Sequence, residues 1–336
     1  NSLVGQTIAA GNSTFSFNVT VNGDTTVEPN ESFFVNVTNV TGATVGDGQG
    51  LGTINNDDAT LIKINAIQGS GTSSPLVSTS VTTRGIVTGL KSNGFYIQEP
   101  DATVDANPLT SEGIFVFTSS APPAAAAIGN LVQVAATVVE FVPSQDPQQP
   151  PLTELSSPTV TQLSTGNPLP APIPLTATFP DPTGAFDQLE RVEGMRVSMA
   201  SMTVGGPTLG TVNEANATAT SSGVFFGVVT GVPRAFREAG IQHPDVAPTG
   251  TIPPIPRFDT NPEVIRVDSD SQTGTTAINV ATGALVTGLV GPLDYTFRHY
   301  TILPDLASPP TATGGMTATA VTAATASEFT VAAYNV

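Results

Sequence analysis

Acidic side chains near the start of the sequence carry the clearest candidate chemistry. The first 58 residues contain six Asp or Glu residues and no Lys or Arg. Calcium takes roughly six to eight oxygen ligands, which acidic loops at one end of a β-sandwich can supply. The candidate metal ligands are Asp24, Glu28, Asp57 and Asp58. The alternative is that Asp and Asn only form turns and Glu keeps strand edges soluble.

A second set of side chains could contact nucleic acid. Phe95 and Tyr96 could stack on bases, while Arg84 and Lys91 could lie along the phosphates of a single strand. The alternative is that the alternating aromatic residues form the core of a barrel and that Arg84 is a solvated strand residue. The second interpretation is favoured, because so few basic residues cannot balance a track of several phosphates.

Composition excludes several classes of site. The 336 residues include no cysteine and two histidines, which excludes disulfides, thiolate zinc sites and cysteine nucleophiles. The net charge is −17, from 10 basic and 27 acidic residues. Direct binding of bare DNA by this chain is therefore expected to be weak.

Short apolar runs with a period of two predict an all-β protein. Alternation is clear in residues 15–21 (FSFNVTV) and 33–40 (FFVNVTNV), and residues 60–68 (TLIKINAIQ) are also predicted to form a strand. Turn sequences rich in Gly, Asn and Asp separate the runs. No apolar run approaches the roughly 18 residues of a membrane-spanning helix, so no such segment is predicted.

Shifts in composition predict four segments. They are residues 1–58, a partial sandwich; 59–170, a small β-barrel; 171–327, a second β-rich, OB-like region; and 328–336, a single strand. The proline-rich sequence of residues 168–174 (PLPAPIP) marks the boundary between the second and third segments.

The first segment resembles the second half of a Calx-beta domain. The similarity lies in residues 19–37 (VTVNGDTTVEPNESFFVNV) and 52–58 (GTINNDD). It implies that Asp24, Glu28, Asp57 and Asp58 lie near a calcium site. The strands that open such a domain, with a further acidic ligand, are missing before Asn1. We therefore expect a partial site that binds Ca²⁺ weakly.

The middle of the chain resembles the accessory region of large bacterial extracellular nucleases. Its pieces are residues 84–88 (RGIVT), 94–101 (GFYIQEPD), 111–117 (SEGIFVF) and 129–134 (GNLVQV), followed by 192–197 (VEGMRV), 262–268 (PEVIRVD) and 286–297 (VTGLVGPLDYTF). In those nucleases an OB-like domain with these pieces precedes the catalytic domain. The resemblance therefore implies an OB-like Greek-key barrel in this chain.

The last strand, residues 328–336 (EFTVAAYNV), resembles the first strand of an endonuclease/exonuclease/phosphatase domain. The resemblance places Asn335 beside the catalytic metal and phosphate. The remaining catalytic groups of that family, a metal-binding Glu, an Asp-x-Asn pair and a Ser-Asp-His block, do not follow in the sequence. Mg²⁺ or Mn²⁺ is therefore expected only in a downstream catalytic domain of the same polypeptide, and this chain alone should be catalytically silent.

These observations predict a non-catalytic accessory region of a secreted or cell-surface bacterial protein. The parent would be a metal-dependent nuclease that hydrolyses extracellular DNA or RNA. The accessory region would supply spacing, calcium-dependent rigidity or substrate presentation. The alternative is a calcium-binding adhesion or matrix scaffold. The sequence does not indicate an oligomeric state.

Overall fold

The computed structural model describes residues 3–23, 27–56, 58, 60–232, 241–242, 257–258, 262–317, 319–320, 322–327, 329 and 331. The chain divides into two compact units, residues 1–60 and 61–336. Strands account for nearly all regular structure in the described residues, so the all-β prediction is confirmed.

The first unit contains a two-stranded antiparallel sheet. Strands β1 (Glu31–Asn36) and β2 (Gln49–Ile54) pair along their whole length. The predicted strand over residues 15–21 is wrong: the segment pairs with no described residue, and its alternating Phe15, Phe17, Val19 and Val21 side chains are exposed. A strand needs a partner for its backbone N–H and C=O groups, which alternation alone does not supply.

The second unit begins with a closed five-stranded barrel, barrel A. It contains helix α1 (Ile64–Gln68) and strands β3 (Ser80–Lys91), β4 (Gly94–Gln98), β5 (Gly113–Phe117), β6 (Leu131–Phe141) and β7 (Leu152–Ser164). The strand order is β3-β4-β5-β7-β6, closed by β6 on β3, and only β5 and β7 run parallel among these pairs. The predicted OB-like Greek-key barrel is therefore present.

Residues 60–68 are predicted as a strand, and that prediction is wrong for residues 64–68. They form α1, because Ile64 and Ile67 lie one turn apart and are both fully buried in the core of barrel A. In the strands of barrel A, Phe95 and Ile97 point inward from β4, and Ile114 points inward from β5.

The remaining strands form a second barrel, barrel B, with two strands added at its edges, and two separate strand pairs. They are β8 (Ile173–Leu175), β9 (Arg196–Val204), β10 (Gly210–Asn213), β11 (Thr218–Ser221), β12 (Val224–Val229), β13 (Ile241–Gln242), β14 (Arg257–Phe258), β15 (Ile265–Asp268), β16 (Ala284–Thr296), β17 (His299–Ile302) and β18 (Thr311–Gly314). The order β9-β12-β15-β17-β16 closes through pairing of β16 with β9.

Barrel B repeats the strand order of barrel A. In each, the third and fifth strands are parallel and the fourth returns to the first. Strand β8 adds to β9 and β18 adds to β16, whereas β10–β11 and β13–β14 are separate two-stranded pairs. Residues 61–314 thus hold two OB-like barrels in tandem.

The two barrels share a buried junction. Tyr96 of β4 and Phe115 of β5 point away from the core of barrel A and belong to the same apolar cluster as Met195 and Leu293 of barrel B. Gly113 and Gly194 bring the two backbones together: a β-carbon on Gly113 would lie 2.3 Å from the carbonyl carbon of Gly194. The barrels therefore pack as one body.

Candidate functional site

The outer face formed by the second and third strands is where OB barrels bind oligonucleotides and oligosaccharides. In barrel A this face lies on β4 and β5 and is covered by the junction. The Tyr96 ring is fully buried and packs on Phe115 with the ring centres 4.9 Å apart. The Gln98 side chain accepts the N–H of Arg196 at 2.8 Å. This face is not available to a ligand in the structure.

In barrel B the equivalent face lies on β12, β15 and β17. Phe226, Arg266 and Thr301 lie side by side across the three strands, because Phe226 is in register with Arg266 and Arg266 with Thr301. All three side chains point away from the core of barrel B, since the neighbouring Phe225, Ile265 and Ile302 side chains point into it. Arg266 and Thr301 are nevertheless buried, and Phe226 is partly exposed. We call this surface, with the hairpin described next, the open face; its accessible part is the hairpin residue Phe297.

A two-residue hairpin between β16 and β17 extends the open face. Its residues, Phe297 and Arg298, both have positive φ, 51° and 61°. Type I′ hairpins require this conformation and normally use Asn-Gly. The Arg298 guanidinium is bidentate on Asp146, and the backbone N–H of Arg298 donates to Gln149 Oε1 at 3.2 Å. The strained turn is thus fixed to the β6–β7 loop of barrel A, and strain held in this way is typical of binding sites.

The Phe297 ring is 74% exposed at the tip of the hairpin. The guanidinium of Arg266 lies 5.6 Å from the ring centre. Arg266 is fixed by Asp268, at 2.8 Å, and by the Thr301 hydroxyl, at 3.3 Å. The result is an exposed aromatic platform backed by a buried cation, an arrangement that can stack a planar ring such as a nucleobase.

His299 lies beside the platform and packs against Phe226. Its ring packs edge-on against Phe226, 5.0 Å between centres. Burial, with a smaller contribution from the Arg266 charge, lowers the pKa of His299, so the imidazole is neutral at neutral pH. The turn at residues 297–298 separates His299, the first residue of β17, from the antiparallel strand β16.

The junction holds a group of buried carboxyl groups. Glu193, 1% exposed, has no donor in normal hydrogen-bond geometry at either carboxylate oxygen. Burial, followed by the charges of Glu190, Asp294 and Glu140, raises its pKa well above the usual range. Burial also raises the pKa values of Glu154 and Glu190 to about 7.

Four residues predicted to contact nucleic acid lie in barrel A. Phe95 is fully buried inside the barrel and Tyr96 in the junction, so neither ring has a face for a base to stack on. Lys91 pairs with Asp294 at 2.8 Å across the junction. Arg84 is partly exposed and donates to Gln133 at 3.0 Å. The structure does not bring the four together as a binding surface.

Two of the predicted calcium ligands, Asp24 and Asp57, lie outside the described residues, as does Asn335. The Asn56 side chain links the backbones of Glu28 and Asp58. It accepts the backbone N–H of Glu28 at 3.0 Å and donates to the backbone carbonyl of Asp58 at 3.0 Å. No group of three or more His, Asp or Glu residues in the described part of the chain is arranged to hold a metal ion.

The open face was missed by reasoning from the sequence. Its main residues lie within two sequences noted for their resemblance, 262–268 and 286–297, but no role was predicted for them. A usable signal was present: two alternating runs separated by two residues indicate a hairpin. Phe-Arg is an uncommon turn pair, so this signal was easily overlooked.

No helix in the described residues is long and apolar enough to cross a membrane.

Comparison with protein-family profiles gives a match in the second unit. The profile of a protein family described as a domain of unknown function, DUF8508, matches residues 146–314, from the loop before β7 to the end of β18. The matched region includes all of barrel B and both sides of the Asp146–Arg298 contact. No curated protein matches the chain.

Proposed function

The chain belongs to the DUF8508 family, and we propose that it is a non-catalytic accessory region of a secreted, metal-dependent nuclease, in which barrel B presents single-stranded nucleic acid to a downstream catalytic domain. The open face is the observation that carries this proposal. Barrel A would act as a rigid support, because its own equivalent face is used to hold barrel B.

The chemistry of the open face supports weak stacking. Both of its arginines are already paired, Arg266 with Asp268 and Arg298 with Asp146. Little positive charge therefore remains for phosphates, and the net charge of −17 opposes a polyanion. Stacking of a base on the Phe297 ring would therefore supply most of the affinity for single-stranded nucleic acid. A weak site of this kind suits transient presentation of substrate to a neighbouring domain.

Fluorescence anisotropy with a labelled oligothymidylate tests the binding. We expect a dissociation constant weaker than micromolar at physiological salt, with a shallow dependence on salt concentration. Stacking contributes about 1–3 kcal/mol per base, so Phe297→Ala should weaken binding about tenfold.

Two variants serve as controls. Phe141→Ala removes another exposed ring, at the end of β6, and should leave binding unchanged. Arg84→Ala removes a basic residue from barrel A and should also leave it unchanged. An unchanged affinity in Phe297→Ala, or a loss in Arg84→Ala, would contradict the assignment of the open face. Submicromolar binding with a steep salt dependence would contradict the stacking mechanism.

The nuclease assignment has its own test. The coding sequence beyond Val336 should supply a metal-binding Glu, an Asp-x-Asn pair and a late Ser-Asp-His block. A stop codon directly after Val336 would contradict the nuclease assignment and favour the adhesion or matrix scaffold, while leaving the binding result intact.

A further inference from the structure

The junction between the barrels contains more acidic groups than its geometry can hold in ionised form. Glu193 is fully buried between β9 of barrel B and β5 and β7 of barrel A, and its backbone carbonyl accepts the Ser111 hydroxyl at 2.5 Å. Neither of its side-chain oxygens has a donor in normal hydrogen-bond geometry, and the backbone N–H of Thr153 only partly favours the ionised form. A buried carboxylate with so little compensation is disfavoured, so this packing favours the protonated form of Glu193.

Other buried side-chain oxygens around Glu193 also lack compensating partners. The Tyr96 hydroxyl, the Tyr295 hydroxyl, Asp294 Oδ1 and Glu140 Oε2 are also buried without a partner in normal hydrogen-bond geometry. Only one of these side chains has a counter-ion, since Lys91 pairs with Asp294 through its other oxygen. Removal of protons from this group would add negative charge where nothing compensates for it.

Two neighbouring carboxyl groups come from opposite barrels. Glu154 lies on β7 of barrel A; burial and the Asp294 charge disfavour its ionisation, and Lys91 favours it. Glu190 lies just before β9 of barrel B; burial, Glu140 and Asp187 disfavour its ionisation, and the Tyr300 hydroxyl, which donates to it at 3.0 Å, favours it. Both groups change charge near neutral pH.

We infer that the junction is a proton-operated latch: Glu154, Glu190 and Glu193 hold the two barrels together while protonated, and their ionisation loosens the barrels. Loosening would expose Tyr96 and Phe115 on the covered face of barrel A. A second aromatic face would then become available at higher pH. The inference does not depend on the proposed nuclease function.

The direction of the pH dependence follows from the difference between the pKa values of the closed and the opened junction. Glu154 and Glu190 have folded-state pKa values of about 7, raised above the usual 4.5. The junction is therefore at full strength below about pH 4.5 and weakens as the pH rises through 7. Above about pH 7, these two carboxyl groups no longer contribute to the stability of the junction.

Distance measurements between labels on the two barrels test the latch. Because the chain has no cysteine, Thr159→Cys in barrel A and Thr218→Cys on β11, which lies in sequence between the first two strands of barrel B, accept a dye pair at exposed positions. We expect one narrow distance distribution at pH 5.5 and a broader one, with a longer-distance population, at pH 8. The midpoint should lie near pH 7.

Neutral variants separate the latch from other effects of pH. Glu154→Gln with Glu190→Gln should keep the narrow distribution at pH 8, because glutamine cannot ionise. Glu214→Gln, an exposed residue of barrel B, should behave as wild type. If the double variant does not fold, binding of a hydrophobic dye to the wild type must rise with a midpoint near pH 7. A distribution independent of pH, or an equal change in the double variant, would overturn the inference.

Discussion

Barrels A and B have the same strand order but use the same face differently. In barrel A the outer face of the second and third strands carries Tyr96 and Phe115 and is buried against barrel B. In barrel B the equivalent face carries Phe226 and Arg266 and leads to the exposed Phe297. Strand order alone therefore does not indicate which barrel can bind a ligand, whereas the residues packed on each face do.

The largest expected effect comes from breaking the ion pair across the junction. Asp294 has a 2% exposed side chain and its partner Lys91 a partly buried one. Lys91→Met leaves the carboxylate buried without a counter-ion, so we expect a loss of about 3 kcal/mol in the free energy of unfolding. The loss should be greater at pH 8 than at pH 5, because the Lys91 charge also favours the ionised form of Glu154, whose pKa is about 7. Urea denaturation at both pH values measures this.

A matched control removes an ion pair within barrel A. Lys63, which pairs with Glu99 at 2.7 Å, is half exposed, and the Thr103 hydroxyl also donates to Glu99. Lys63→Met should therefore cost less than half as much as Lys91→Met. Equal losses in the two variants would show that the junction has no special electrostatic role.

The close contact between the two backbones gives the next largest effect. Gly113→Ala places a β-carbon against the backbone of Gly194, and overpacking of this kind typically costs about 1–3 kcal/mol. Gly206→Ala is the control, because a β-carbon there meets nothing within 4 Å. A lower melting temperature is expected only for Gly113→Ala. Identical melting curves would argue against a tightly packed junction.

The hairpin of the open face should show a conflict between stability and binding. Phe297 has a φ of 51°, which asparagine tolerates far better than phenylalanine. We expect Phe297→Asn to raise the free energy of unfolding by about 0.5 kcal/mol while weakening oligothymidylate binding about tenfold. Phe297→Leu should weaken binding without the gain in stability. Destabilisation by Phe297→Asn would show that the ring serves packing on Arg266 instead.

The first unit provides the smallest expected effect and a contrast with both barrels. None of its described large apolar side chains is buried. Ca²⁺ should raise its melting temperature by a few degrees at most, and Asp57→Ala or Asp58→Ala should remove this shift. Asp47→Ala is the control. A shift that persists in both variants would contradict the predicted calcium ligands.

Short apolar runs with a period of two predicted a small β-barrel over residues 59–170, and the sequences at residues 94–101 and 111–117 lie on β4 and β5. No strand was predicted over β7. The same pattern over residues 15–21 failed, since period two indicates which residues share a face but not whether anything covers that face. Helix α1 was missed because a five-residue apolar segment fits either period. The open face was not predicted, because Phe226, Arg266 and Phe297 come from three separated segments and the hairpin signal concerns Phe297 alone.

Mapping a ligand onto the two barrels tests the central claim most directly. Backbone amide NMR shifts should be followed during titration of the ¹⁵N-labelled chain with oligothymidylate at pH 5.5, where the junction is closed. We expect shifts confined to β12, β15, β17 and the Phe297–Arg298 turn, with none on β4 or β5. Shifts centred on β4 and β5, or none at millimolar oligonucleotide, would contradict the claim.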